Sequence, residues 1–108
     1  MKMIKAYIRP QKEKEVLQAL VEKGIYGATF KSALGRGKQR GLKVSDVYYD
    51  EIPKAMMMIV VEDEKEAEVK SIITSVCRTG KTGAFGDGKI FTIPVLKEVT
   101  ISSGEIKE

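Results

Sequence analysis

The sequence predicts an α+β domain: two β-α-β units in tandem, forming an antiparallel sheet with both helices on one face. Three observations predict it. Each half of the 108-residue chain carries an apolar strand pattern, an amphipathic helix, a glycine break and a strand containing phenylalanine. Between the halves lies Gly35 to Glu51, rich in glycine and charge and without a hydrophobic period. The run Met56 to Val61 is continuously apolar, a pattern that implies burial on both faces of a strand. Two such units in sequence give the split, ferredoxin-like βαββαβ sandwich over residues 1–108.

Met1 to Arg9 reads as the first strand, with Met3, Ile4, Ala6, Tyr7 and Ile8 apolar, and Pro10 ends it. Gln11 to Lys23 reads as a helix with Val16, Leu17, Leu20 and Val21 on one face, stopped by Gly24. Gly27 to Leu34 is the second strand, turning Ala28, Phe30 and either Ala33 or Leu34 to the core. Residues 35–51 read as a long mobile loop, and such loops in compact domains are functional or disordered. Ile52 to Val61 is the third strand, its adjacent methionines read as adaptable core filler rather than a metal site.

Glu62 to Arg78 reads as the second helix, capped by Asp63 and with acids in its first turn. Ala67, Ile72, Ile73, Val76 and Cys77 form its apolar face, which makes Cys77 a core residue. The glycine-rich loop 80–89 follows, overlapping a strand at Lys89 to Ile93, then Pro94 and a last short strand near Glu98 to Ile101. The tail 103–108 is polar and expected to fray. Since both helices cover one sheet face, the apolar third strand predicts that the other face is covered by further copies of the chain.

Composition removes several function classes. There is no histidine, which excludes histidine metal sites, histidine bases and phosphohistidine chemistry. The lone Cys77 rules out an internal disulfide and fits a reducing, cytoplasmic setting. No apolar run is long enough to span a bilayer, and Met1 to Pro10 has no signal-peptide core. The net charge is +4, but the basic excess gathers in two glycine-rich loops instead of along a helix, which favours a compact anion over a nucleic acid. An RNA-binding module is the rival reading. It needs aromatic residues on the open sheet face, and the aromatic fraction is only 6%. An enzyme on this fold is the other rival: asparagine, expected in an acylphosphatase site, is absent, and Asp87 has no partner acid or base in the pattern.

Two loops carry the chemistry. Gly86-Asp87-Gly88-Lys89-Ile90-Phe91, preceded by Gly80 and Gly83, can expose successive backbone N–H groups to an anion, above all a phosphate. Gly35 to Gly41 reads Gly-Arg-Gly-Lys-Gln-Arg-Gly at the end of the second strand. Both loops leave the sheet near its edge and are not expected to touch within one subunit; where they meet across an oligomer interface, Arg36, Lys38, Arg40 and Lys89 surround a polyphosphate that the backbone of Gly86 to Gly88 grips. Neither loop matches the phosphate-loop or dinucleotide patterns, and the plain alternative is a helix-to-strand turn with solvated lysines.

Thr79-Gly80-Lys81 followed by Gly86 to Phe91 resembles the C-terminal signature of the PII nitrogen-regulatory proteins. Gly35, Gly37, Lys38, Gln39, Arg40 and Gly41 resemble the stem of that family's T-loop, Ile8-Arg9-Pro10 its first strand end, Pro53-Lys54 its strand after the T-loop, and Ser103-Gly104-Glu105 its terminal Thr-Gly-Glu. The resemblance covers nearly the whole chain in order. It implies a non-enzymatic, cytoplasmic homotrimer that binds ATP or ADP between subunits and 2-oxoglutarate with Mg-ATP at the T-loop base. By position, Gly35, Gly37, Lys38, Gly86, Asp87, Gly88 and Lys89 would form the nucleotide site. Gln39 would hold Mg²⁺ and 2-oxoglutarate, and Lys54 the distal carboxylate of 2-oxoglutarate. Leu42, Lys43, Val44, Ser45, Asp46 and Val47 would dock the partner.

This sequence departs from the family pattern in three places. The T-loop is short and lacks the uridylylated tyrosine motif, so Tyr48 and Tyr49 read as sheet packing. The loop before Gly86 is longer, through Thr82, Gly83, Ala84 and Phe85. Thr100 and Ser102 stand in the final strand where typical members have two phosphate-binding arginines, with Arg40 and Lys81 available to compensate. The segment from Gly41 to Lys54 resembles the nitrogenase-linked branch, whose members occur in pairs. The implied partner is nitrogenase, with a paralogue alongside. A PII-like regulator of another target, such as an ammonium transporter, with altered or lost nucleotide binding, is the alternative.

Overall fold

A computed structural model describes residues 1–36 and 51–108, with the side chains of Arg36 and Glu51 left aside. Strands β1 (Lys2–Ile8), β2 (Thr29–Arg36), β3 (Glu51–Val61) and β4 (Gly88–Pro94) form one antiparallel sheet in the order β2-β3-β1-β4. Helices α1 (Glu13–Glu22) and α2 (Glu66–Cys77) contribute to the core on one face of that sheet. This is the ferredoxin-like α+β arrangement that the tandem pattern predicts. A hairpin of β5 (Glu98–Val99) and β6 (Ile106–Lys107) follows.

The central strand shows why one face is the core. In β1, Ile4, Ala6 and Ile8 are buried, alternating with half-buried Met3, Lys5 and Tyr7. Their partners on β3 obey the same period: Ala55, Met57 and Ile59 are buried. Side chains two apart share a face, and helix residues Val16, Leu20, Val69, Ile73 and Cys77 close over it. Burial pushes the Cys77 thiol pKa up, as expected for an inert core cysteine. Among the described residues, β3 is covered on one side only. Met56 and Met58 are half-buried, and Val60, Phe91 and Ile93 are exposed on the open face.

Local chemistry sets the element ends. Pro10 begins a 3-10 turn, Pro10–Lys12, that leads into α1. Gly24 adopts φ 74°, its N–H donates to Val21 O, and the Ile25 N–H donates to Leu20 O. That pair of bonds is a Schellman stop, completed by burial of Ile25.

Four expectations are corrected. Asp63 does not cap α2 but begins a 3-10 turn and pairs with the Met1 ammonium at 3.0 Å. The inner face of α2 contains Val69, while Ala67 is exposed. Leu34, one of the two alternatives for the core side of β2, is 69% exposed. The tail does not fray: Ile106 pairs with Val99, and Lys107 pairs with Glu62. Thr100 and Ser102 consequently lie in the connection of this hairpin and not in a strand.

The open face sets Phe91, Lys5 and Met58 abreast, and Ile93, Met3 and Val60 abreast, on adjacent strands. Contiguous apolar surface of this kind drives association. Light scattering at micromolar concentration is expected to give a multiple of the 12.0 kDa chain mass. A stable monomer would contradict that expectation.

Candidate functional site

One end of the sheet gathers the charged and glycine-rich segments. Ile8, at the end of β1, pairs with Ala55 on one side and Gly88 on the other. The residues just beyond that register, Arg9, Lys54 and Asp87, therefore come together. Glycine loop 80–87 enters this corner from the end of α2.

Asp87 is the hub. Its carboxylate accepts from the Thr79 N–H at 3.1 Å, the Thr79 hydroxyl at 2.6 Å, the Ala84 N–H at 2.7 Å and the Arg9 guanidinium. The Thr79 bonds and the Ala84 N–H, joined by Arg9, hold its pKa far below the usual aspartate range. A lowered folded-state pKa means the carboxylate stabilises the fold above the ordinary value of about 3.9 and loses that contribution as pH falls below it. With its oxygens so engaged, Asp87 shapes the loop. The Asp87 N–H also turns inward, donating to Ala84 O at 3.2 Å.

Arg9 is assigned no role by the sequence pattern. It donates to Thr79 Oγ1 at 3.1 Å and Phe85 O at 3.0 Å, as well as to Asp87. The signal for it was the Arg-Pro strand end followed, far along the chain, by the lone acid of a glycine loop. Nothing local joins the two.

Lys54 links the loops. Its Nζ donates to Gly86 O at 2.8 Å. A Cβ added at Gly35, which pairs with Ile52 at the end of β2, would lie 3.2 Å from Lys54 Cγ. The stem of segment 37–50 and the glycine loop thus meet on one lysine within a single chain. Lys89 opens β4 opposite Tyr7 and is exposed. Gly37, Lys38, Gln39, Arg40, Leu42, Lys43, Val44, Ser45, Asp46, Val47, Tyr48 and Tyr49 lie outside the described residues.

The loop, the last turn of α2 and the start of β4 border a cleft of about 530 Å³. Ile8, Ile73 and Cys77 line it along with Arg78 and Lys89. That volume falls within the roughly 300–1,000 Å³ usual for small-molecule sites. Among the described residues no group of acidic, cysteine or histidine side chains is arranged to hold a metal. No helix there is long and apolar enough to cross a membrane.

Gly88 has φ 120°, and a Cβ there would sit 2.0 Å from Tyr7 O. The β1–β4 pairing is therefore closed to any side chain at this position. Gly88→Ala should cost at least about 3 kcal/mol, the upper range for strained backbone, with the clash added. Gly104 (φ 71°) has nothing within 4 Å of an added Cβ. Gly104→Ala should cost only about 1–2 kcal/mol, the left-handed penalty alone. Urea denaturation of both variants checks the order, and equal losses would refute the close approach at Gly88.

Comparison with known proteins follows the same residues. The family model of the nitrogen regulatory protein P-II matches residues 1–105. The chain is 50% identical over 101 residues, 94% of its length and 93% of the relative's, to "Nitrogen fixation nifHD region glnB-like protein 1" of Methanococcus maripaludis. It is 46% identical over 105 residues, 97% of both chains, to a protein of the same description from Methanothermobacter marburgensis. It is 40% identical over 109 aligned positions, which cover 97% of its length and 92% of the relative's, to "Nitrogen regulatory protein P-II 2" of Methanothermobacter thermautotrophicus. With residues 1–105 matched by the family model and relatives of 40–50% identity aligned over nearly its full length, the chain belongs to the P-II family of nitrogen regulatory proteins.

Proposed function

We propose that the chain is a non-enzymatic, cytoplasmic, ligand-gated regulator acting as a homotrimer. It senses ATP or ADP together with 2-oxoglutarate, and it controls a partner protein through segment 37–50. The observation that carries this reading is the Lys54 bridge: one ammonium touches Gly86 O while its stem lies against Gly35. A ligand engaging Lys54 acts on the glycine loop and on the root of the docking segment together. Ligand binding then shifts the segment between conformations, and the partner selects one of them.

The residues fit a nucleotide. Gly86 and Gly88 keep the loop backbone bare of side chains, Lys89 in β4 is exposed beside them, and Lys38 belongs to the neighbouring stem by sequence. The phosphates would lie against Lys38, Lys89 and the Gly86–Gly88 backbone, with Gly35 and Gly37 shaping a cleft between subunits. Because Asp87 is occupied by its hydrogen bonds, Mg²⁺ would arrive with ATP and be held through Gln39. Lys54 would take the distal carboxylate of 2-oxoglutarate, and the loop Leu42 to Val47 would meet the partner. The names of the relatives tie them to nitrogen-fixation regions, which supports nitrogenase as that partner and a paralogue beside it.

Calorimetry with 2-oxoglutarate in the presence of Mg-ATP tests the reading. Lys54→Ala and Gln39→Ala should each weaken 2-oxoglutarate at least tenfold, about 1.4 kcal/mol, without lowering the melting temperature appreciably. Unchanged affinity in both variants would remove this site. A second titration concerns Thr100 and Ser102. If arginines there serve the phosphates, the Thr100→Arg, Ser102→Arg double variant should tighten ATP at least tenfold, and no gain would show that the hairpin connection lies outside the nucleotide site.

A further inference from the structure

We propose that Arg9 is the positioning residue of the nucleotide site, acting through Asp87 and Phe85 to fix the glycine loop before any phosphate arrives. The inference rests on the nucleotide reading above and names the residue on which its affinity depends.

Loop 79–88 contains four glycines at positive φ, Gly80, Gly83, Gly86 and Gly88. Left alone, such a chain is the most costly kind to order. Its internal ties are the Asp87 N–H to Ala84 O turn and the Thr79 and Ala84 donors to the Asp87 carboxylate. Arg9 adds the tie that anchors this loop to the end of β1. The Arg9 fork reaches three separated points of the loop, at Thr79 Oγ1, Asp87 and Phe85 O. A Cβ added at Gly86 would lie 3.1 Å from Arg9 Nη2, so the loop backbone lies directly against the guanidinium. A planar fork can satisfy acceptors at several points at once, which a lysine ammonium on a flexible stem does less well. Pre-ordering of this kind raises affinity by lowering the cost of binding.

Charge gives the second reason. Phosphates brought to Gly86–Gly88 approach the Asp87 carboxylate, and like charges repel. Arg9 pairs with that carboxylate and removes the opposition. Arg9 does this from outside the core. Its side chain is about one-third exposed (32%), and it is absent from the buried cluster that holds sheet and helices together. Its loss therefore falls on the loop and leaves the fold in place.

The test is titration of ADP into the full chain as wild type, Arg9→Lys and Arg9→Ala, with melting temperature measured alongside. Arg9→Ala should lose at least tenfold in ADP affinity while melting close to wild type, and Arg9→Lys should fall between. Millimolar guanidinium should restore part of the affinity in Arg9→Ala and leave wild type unchanged, a response that a merely structural role would not give. Wild-type affinity in Arg9→Ala would overturn the inference. So would a loss that accompanies collapse of the melting temperature in both variants and resists guanidinium. A wild type that binds no ADP would overturn the nucleotide reading itself, a result distinct from either.

Discussion

Four donors converge on the Asp87 carboxylate, and the functional end of the molecule takes its form from them. Two are backbone N–H groups, one is a hydroxyl and one a guanidinium. Together they tie the end of α2, through Thr79, to the middle of the glycine loop and to the end of β1. Hydrogen bonds to an ionised acceptor are about twice as strong as neutral ones. They also offset the entropy that a glycine-rich segment loses on ordering. Without this knot, a chain with glycines at 80, 83, 86 and 88 has no local reason to hold one shape.

Lys54 joins the glycine loop to strands β2 and β3. It leaves β3 beside Gly35, and its ammonium ends on the carbonyl of Gly86. Strands β2 and β3 are the two roots of segment 37–50, so any group that draws Lys54 away from Gly86 acts on both roots and on the loop. Coupling through a shared group runs both ways: what moves one side of the Lys54 bridge acts on the other.

The fold was legible in the sequence because it rests on short-range periods. Alternation in β1, the buried helix positions Val16, Leu20, Ile73 and Cys77 and the Gly24 stop each follow from residues within a few positions of one another, whereas Leu17, Val21 and Ala67 are exposed. The glycine loop was legible for the same reason. Arg9 was not: its partners lie 70 to 78 residues away, and only the pairing of Ile8 with Gly88 brings them into reach. Asp63 misled because an acid before a helix is also a good partner for a nearby ammonium, and the Met1 terminus won. The tail misled because two residue pairs suffice for a hairpin once Gly104 turns the chain.

The most direct measurement is the NMR titration of the Asp87 side-chain carboxyl, followed together with the amides of Thr79 and Ala84. A carboxylate held by four donors stays ionised well below the ordinary midpoint of about 3.9. The Thr79 and Ala84 amides should then shift only when it finally protonates, with the same midpoint. A carboxyl that titrates near 3.9, with both amides indifferent to it, would show that Asp87 does not hold the loop.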